Sequence, residues 1–173
     1  VRVGIIGCGG IANGKHLPAL QKLEGIEIVA FCDIIPERAK KAAEEYGVEG
    51  AKVYEDYKEL LRDDSIETVH VLTPNKFHSE MTVAALDAGK HVMCEKPMAI
   101  NPAEAQLMLD AQKRSGKLLT IGYQGRFRKD SIYLHRACQR GDLGEIYFAK
   151  AHAIRRRAVP TWGVFIREDL QGG

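Results

Sequence analysis

Two short segments carry the residues best placed to do chemistry. The first, Gly7-Cys8-Gly9-Gly10-Ile11-Ala12, follows the apolar run 3–6. Gly7 permits a tight strand-to-helix turn. Gly9 removes a side chain where a pyrophosphate would touch backbone, and Ala12 takes the third position of a G-x-G-x-x-G/A pattern. The helix that follows would turn unpaired N–H groups and its positive dipole end toward phosphate. Gly7, Gly9, Gly10, Ile11 and Ala12 are therefore candidate cofactor-binding residues. The second segment, Glu95-Lys96-Pro97, follows the apolar run 91–94. Pro97 holds the Lys96 backbone extended. A lysine so held can hydrogen-bond a substrate hydroxyl or carbonyl, and partial desolvation would lower its pKa toward proton transfer. Alone, the loop is also readable as a bare glycine turn and Lys96 as an exposed strand-end lysine. Together, in this order, they point to nicotinamide-dependent oxidation and reduction.

Asp33 ends a second apolar run, the position from which a carboxylate reaches both hydroxyls of an adenosine ribose. A carboxylate there repels a 2′-phosphate, and Ile34-Ile35-Pro36 follows without a cation, so NAD is favoured over NADP. The alternative is a turn residue or helix cap. Ligands of a doubly wound sheet lie across the carboxyl ends of its strands. Those ends are Thr73-Pro74-Asn75, Glu95-Lys96-Pro97 and Tyr123-Gln124. Thr73, Pro74, Asn75 and His78 join the candidate cofactor contacts. Asn75 is equally readable as a turn former and His78 as a solvated helix residue.

The elements that must position these residues alternate along the chain. Apolar runs at 3–6, 26–31, around Val53, and at 68–72, 91–94 and 118–121 read as strands. Helices are expected at 11–23, 37–46, 57–61 and 78–88, and from the N-cap Asn101 with Pro102 to Ser115, closed by Gly116. Strands that are apolar throughout, separated by amphipathic helices, make a parallel sheet covered on both faces. The expected fold is α/β, a doubly wound dinucleotide-binding domain over residues 1–122. A helix at 130–140 follows. Residues 146–154 then alternate apolar and polar as a half-buried strand does. Residues 123–173 are expected to be a linking segment and the first part of a second domain with an open sheet.

Lys plus Arg number 25 against 23 Asp plus Glu, a net charge of +2, which argues against nucleic acid or an anionic membrane as partner. Arg155-Arg156-Arg157 reads as a solvated face or a contact to an anionic substrate, not a phosphate stripe. No apolar run spans a bilayer, and Val1 to Ile6 lacks a signal-peptide layout. Cys8, Cys32, Cys94 and Cys138 lack the spacing of a zinc or redox-dithiol site. A cytoplasmic protein with reduced cysteines and no metal is expected.

Residues 4–12, Asp33, Thr73-Pro74-Asn75-Lys76-Phe77-His78 and Ala88-Gly89-Lys90-His91-Val92-Met93-Cys94-Glu95-Lys96-Pro97 together resemble the Gfo/Idh/MocA oxidoreductase family, that of glucose-fructose oxidoreductase and inositol dehydrogenase. Residues 122–128, with Arg126-Phe127, and Leu143-Gly144-Glu145-Ile146 are similar to the family's next block and the opening of its second domain. The resemblance implies an N-terminal Rossmann domain. It also implies a C-terminal α/β domain whose large, mostly antiparallel sheet commonly forms a homo-oligomer interface. The implied reaction is reversible hydride transfer between nicotinamide and a secondary alcohol of a sugar, cyclitol or related polyol. Carried over, Lys96 binds and polarises the alcohol as the catalytic residue, Glu95 lies near the nicotinamide ribose, a cis bond often precedes Pro97, and Arg126 is a substrate-binding candidate. The family's usual proton acceptor is a histidine four residues after an aspartate, on a helix after a glycine-rich turn like Gly172-Gly173. No residue here fills that role by motif, and His152 does not by position. The 173 residues are thus expected to stop inside their second domain, to be inactive alone and to self-associate. Beside a polyol dehydrogenase stand three other readings: an NAD-dependent glycosidase of the same superfamily, a non-catalytic NAD-binding regulator and, ranked last, a nucleic-acid binder.

Overall fold

The computed structural model describes every residue except Arg155, Arg157, Ala158, Val159, Trp162 and Gly173. Its strands are β1 (Arg2–Ile6), β2 (Glu27–Cys32), β3 (Lys52–Tyr54), β4 (Thr68–Val71), β5 (His91–Cys94) and β6 (Leu119–Ile121). They pair in parallel, in the order β3-β2-β1-β4-β5-β6. The order reverses at β1, and such a reversal opens a crevice at the carboxyl ends of the strands. Helices α2 (Pro36–Tyr46), α3 (Tyr57–Leu61), α4 (His78–Asp87) and α5 (Pro102–Ser115) connect them.

Because the strands are apolar on both sides, each face of the sheet needs a cover. Leu60 and Leu61 of α3, Ala85 and Leu86 of α4, and Met108 and Ala111 of α5 bury Ile6, Val69, Val71, Val92 and Cys94 on one face. Ala12, Leu17 and Leu20, with Ala39 and Ala42 of α2, bury Val3, Ile5, Ile28 and Phe31 on the other. The cap of α5 is the one expected. The Asn101 Oδ1 accepts the Glu104 N–H at 2.9 Å, Pro102 stands in the first turn, and Gly116 ends the helix at φ 66°.

The helix behind the glycine loop differs from the regular one expected. A π-helical turn, Ala12–His16, precedes α1 (Leu17–Leu20). Pro18 has no N–H for the carbonyl of Gly14 and its ring would strike it, and the wider turn takes up that conflict.

The chain divides into two units, one of residues Val1–Gly122 with the segment from Arg167 onward, the other Tyr123–Ile166. The second unit holds a 3-10 turn, Gln124–Phe127, and α6 (Lys129–Gln139). The strand expected at 146–154 is not formed; those residues are irregular and exposed. Alternation supplies an apolar face, but a strand also needs a ladder partner, and every strand among the described residues already belongs to the parallel sheet. For the same reason no antiparallel sheet is present among them. The tail, read as turn-rich, carries a short helix, α7 (Glu168–Gln171). Two members of the Arg155-Arg156-Arg157 run, and Gly173 of the final turn, lie outside the described residues.

Candidate functional site

The glycine loop leaves β1 under a constraint only glycine meets. Gly7 has φ 96°, and a Cβ there would lie 2.7 Å from the backbone oxygen of Leu72. The next glycines are different. A Cβ on Gly9 or Gly10 would meet nothing within 4 Å, so the backbone there borders open space. That is a cradle of the kind a dinucleotide pyrophosphate fills. Asp33, 8% exposed at the end of β2, braces it. Its Oδ2 accepts the Cys8 N–H at 2.8 Å and its Oδ1 accepts the Ile35 N–H at 2.9 Å. Each carboxylate oxygen keeps a further lone pair, so Asp33 can fix the loop and still accept from ribose hydroxyls.

Asn13, which sequence reasoning passed over, closes the loop from the helix side. Its Nδ2 donates to the carbonyls of Cys8 at 2.7 Å and Gly9 at 2.9 Å. The signal was an amide side chain one turn after a glycine, where it competes for backbone acceptors. The thiols nearby are inert. Burial first, then the Asp33 charge, pushes Cys8 up to about 12, and the same two causes push Cys32 up to about 12.

The second half of the site is the pair of loops after β4 and β5. Glu95, not Lys96, takes the buried position at the end of β5, and Lys96 is exposed where partial desolvation was expected. The Lys96–Pro97 bond is cis. The Glu95 Oε2 accepts the Lys96 N–H at 3.0 Å, and its Oε1 lies 2.8 Å from Nε2 of His16 in the π-helical turn. Burial alone would raise the Glu95 carboxyl; the bonds from His16 and the Lys96 N–H outweigh it and hold the group below its ordinary range. His16 packs edge-on against His70 of β4, with ring centroids 5.8 Å apart. The Nδ1 of His70 is buried without a hydrogen-bond partner among the described residues. Burial first, then the His16 charge, lowers His70 to about 4.

His78 is fully buried, at 0% exposure, and is not a solvated helix residue. Its Nδ1 lies 2.7 Å from the carbonyl oxygen of Pro97 and its Nε2 lies 2.9 Å from that of Thr73, so the ring sits between the β5 and β4 loops and its tautomer decides which carbonyl accepts its N–H. Asn75 donates to the Gln171 side-chain oxygen at 2.6 Å, and the Thr73 hydroxyl is buried without a partner among the described residues. Arg126 belongs to the second unit, where its guanidinium lies 5.3 Å over the Tyr123 ring. A cavity of about 480 Å³ opens at the opposite, amino end of the strands, lined in part by Arg2, Glu27, Lys52 and Asp63. Its cations are already paired, Arg2 with Glu27 at 3.5 Å and Lys52 with Asp63 at 2.8 Å, which leaves the carboxyl edge as the better site.

A doubly wound sheet with a glycine cradle at its switch point and a braced carboxylate one strand away defines a dinucleotide-binding protein. The comparisons narrow this. Residues 1–123 match the family model described as "Oxidoreductase family, NAD-binding Rossmann fold". The chain is 42% identical to D-glucoside 3-dehydrogenase of Escherichia coli (strain K12), over 100% of this chain and 49% of that protein. It is 33% identical to inositol 2-dehydrogenase of Salmonella typhimurium, over 94% of this chain and 48% of that protein. Among solved structures, myo-inositol 2-dehydrogenase from Lactobacillus plantarum superposes with a TM-score of 0.75 at 30% identity, covering 84% of this chain and 43% of that one. A mutant 3-ketoreductase from Actinomadura kijaniata, in complex with TDP-benzene and NADP, gives 0.74 at 32% identity, covering 84% and 44%. The chain belongs to the Gfo/Idh/MocA oxidoreductase family. It spans about half the length of the curated relatives it matches. Among the described residues no helix is long and apolar enough to cross a membrane.

Proposed function

We propose that the chain binds NAD along the carboxyl edge of its sheet. In the whole protein this site serves a dehydrogenase acting on a secondary alcohol of a sugar, cyclitol or related polyol. The observation that carries the reading is the arrangement of three strand ends in one parallel sheet: the open Gly9-Gly10 cradle after β1, Asp33 after β2 and Glu95-Lys96 after β5. Relatives named as glucoside and inositol dehydrogenases make D-glucosides and inositols the first substrates to try.

Bound nicotinamide supplies the hydride acceptor. The rest is the work of the chain's residues. Gly7 to Ala12 hold the pyrophosphate by backbone N–H groups. Asp33 accepts from the ribose hydroxyls and disfavours NADP by repulsion of its 2′-phosphate. Lys96 donates a hydrogen bond to the alcohol oxygen and polarises it. Thr73, Pro74 and Asn75 line the cofactor edge, and Arg126 is a candidate substrate contact by its resemblance to the family.

Residues 123–173 are assigned to a linking segment and the start of a further domain; the change of unit at Tyr123 supports the division, while the segment from Arg167 onward groups with the first unit. Exposed Ile146, Tyr147 and Phe148 support a homo-oligomeric protein. Free cysteines, one of them exposed, support the cytoplasm, and the near-balanced charge supports partners other than nucleic acid.

Fluorescence titration with NADH and NADPH tests the binding. In the whole protein, Lys96→Ala should lower kcat by roughly a hundred- to ten-thousand-fold with little change in NAD affinity. Turnover of the variant near the wild-type rate would remove Lys96 from the chemistry.

A further inference from the structure

Lys96 is exposed, so its own packing does not fix it; something must aim the loop that carries it. The immediate anchor is Glu95, whose Oε2 takes the Lys96 N–H at 3.0 Å. The other oxygen of Glu95 is held from across the sheet edge by His16, at 2.8 Å, with only 13% and 10% of the two side chains exposed. A carboxylate pinned at both oxygens cannot rotate without breaking a bond, so the Lys96 backbone inherits the position of His16. His16 in turn belongs to the π-helical turn that continues the glycine loop, and its ring rests against His70 of β4.

We propose that His16 is a positioning residue: it clamps the Glu95 carboxylate and through it fixes the backbone of Lys96, joining the cofactor helix to the reacting strand end. The functional value of the clamp rests on the reading that Lys96 acts on the substrate. The clamp itself is a contact within the chain and is measurable without cofactor. The charged or titratable groups facing His16 are Glu95 and His70, and those facing Glu95 are His16, Lys96 and Cys94.

The test uses the full chain, free of cofactor. Carbon-13 NMR follows the Glu95 carboxyl through a pH titration, and nitrogen-15 NMR follows the Lys96 amide. In the wild type Glu95 should titrate below its ordinary range. His16→Leu should move that titration upward, because burial is then opposed only by the Lys96 N–H bond and the Lys96 charge. It should also shift the Lys96 amide and speed its hydrogen exchange by roughly tenfold or more. His16→Gln carries a non-titrating amide nitrogen to about the place of Nε2, so it should restore the amide shift and slow the exchange again. A merely structural histidine would lower the melting temperature in both variants without this pattern.

An ordinary or raised wild-type Glu95 titration overturns the proposal, as does a Lys96 amide indifferent to His16→Leu. Should His16→Leu not fold, the wild-type titration and His16→Gln still decide. A parallel NADH titration of the wild type separates the two readings. Failure to bind NADH with the clamp intact sinks the proposed function alone. Binding with no clamp signature sinks this inference alone.

Discussion

Asp33 carries two jobs whose contributions can be measured apart. It accepts N–H bonds from Cys8 and Ile35 at 2.8 and 2.9 Å, and it is expected to accept from the ribose of NAD. A hydrogen bond to a charged group contributes about 1.5–3 kcal/mol, and a donor left buried and unpaired costs about as much. Asp33→Ala removes the acceptor of both bonds. The two losses do not simply add, because the loop can relax and admit water. We expect a loss of about 2–4 kcal/mol in unfolding free energy, large beside the roughly 5–15 kcal/mol that holds a domain folded. Asp33→Asn keeps one acceptor oxygen and turns an NH₂ toward the other N–H, so it should fall between wild type and alanine. Urea denaturation reads this part. Titration with NADH and NADPH reads the other. Loosening the glycine loop weakens both cofactors alike, whereas losing the ribose bonds weakens NADH further. Asp33→Ala within about 0.5 kcal/mol of wild type would refute the brace, that being the scatter of substitutions that touch nothing. Equal losses for NADH and NADPH would refute the ribose contact and leave the brace standing.

Three further outcomes follow from the geometry. Gly7→Ala should cost more than about 2 kcal/mol in a denaturant melt, since a left-handed φ alone costs about 1–2 kcal/mol and its Cβ meets Leu72 backbone at 2.7 Å. Gly9→Ala, with nothing within 4 Å, should leave the melt unchanged and weaken NADH, and the opposite ranking of the two variants would contradict the cradle. His78→Leu should destabilise by about 1–3 kcal/mol in the same assay, because it removes the N–H of a fully buried ring from between the Pro97 and Thr73 carbonyls; a stable variant would mean the two loops do not depend on the ring. Acid should weaken the fold through His70. Its folded pKa, near 4, lies below the 6.5 of the unfolded chain, so the unfolded state binds the proton first. The His70 contribution should then be constant above about pH 7 and fall by up to about 3 kcal/mol toward pH 4, a share of the pH dependence that His70→Phe removes in urea melts at several pH values. Glu95, lowered in the folded state, acts in the same direction, its contribution present above the ordinary carboxylate pKa and lost as pH falls.

What could be read from sequence divides by the distance over which each signal acts. The strands were legible because apolar runs bounded by glycine, proline and asparagine are local, and α5 was legible to the residue from Asn101-Pro102 and Gly116. The helix after the glycine loop was legible as a helix but not as a π turn, although Pro18 stood in plain view as the cause. Residues 146–154 misled because a period of two states which side chains share a face and says nothing of whether a partner strand exists. The same rule governs the site. Asp33, Glu95 and Lys96 end strands, and strand ends are local features. The residues that hold them come from helices and reach across the sequence: His16 to Glu95 over 79 positions, His78 to Pro97 over 19.

His16 is therefore the part of the site that only packing makes visible, and packing shows that His78, a candidate from the sequence, contacts the same short loop. His16 grips the carboxylate before Lys96, and His78 faces the carbonyl of the proline after it. A lysine left in solvent has no packing to aim it. Fixing the backbone on either side is the remaining way to aim it, and here both fixings are made from buried or nearly buried rings. The exposure of Lys96 and the burial of its two neighbours' partners are thus one arrangement. The side chain of Lys96 stays in solvent while the residues before and after it contact rings that are buried or nearly so.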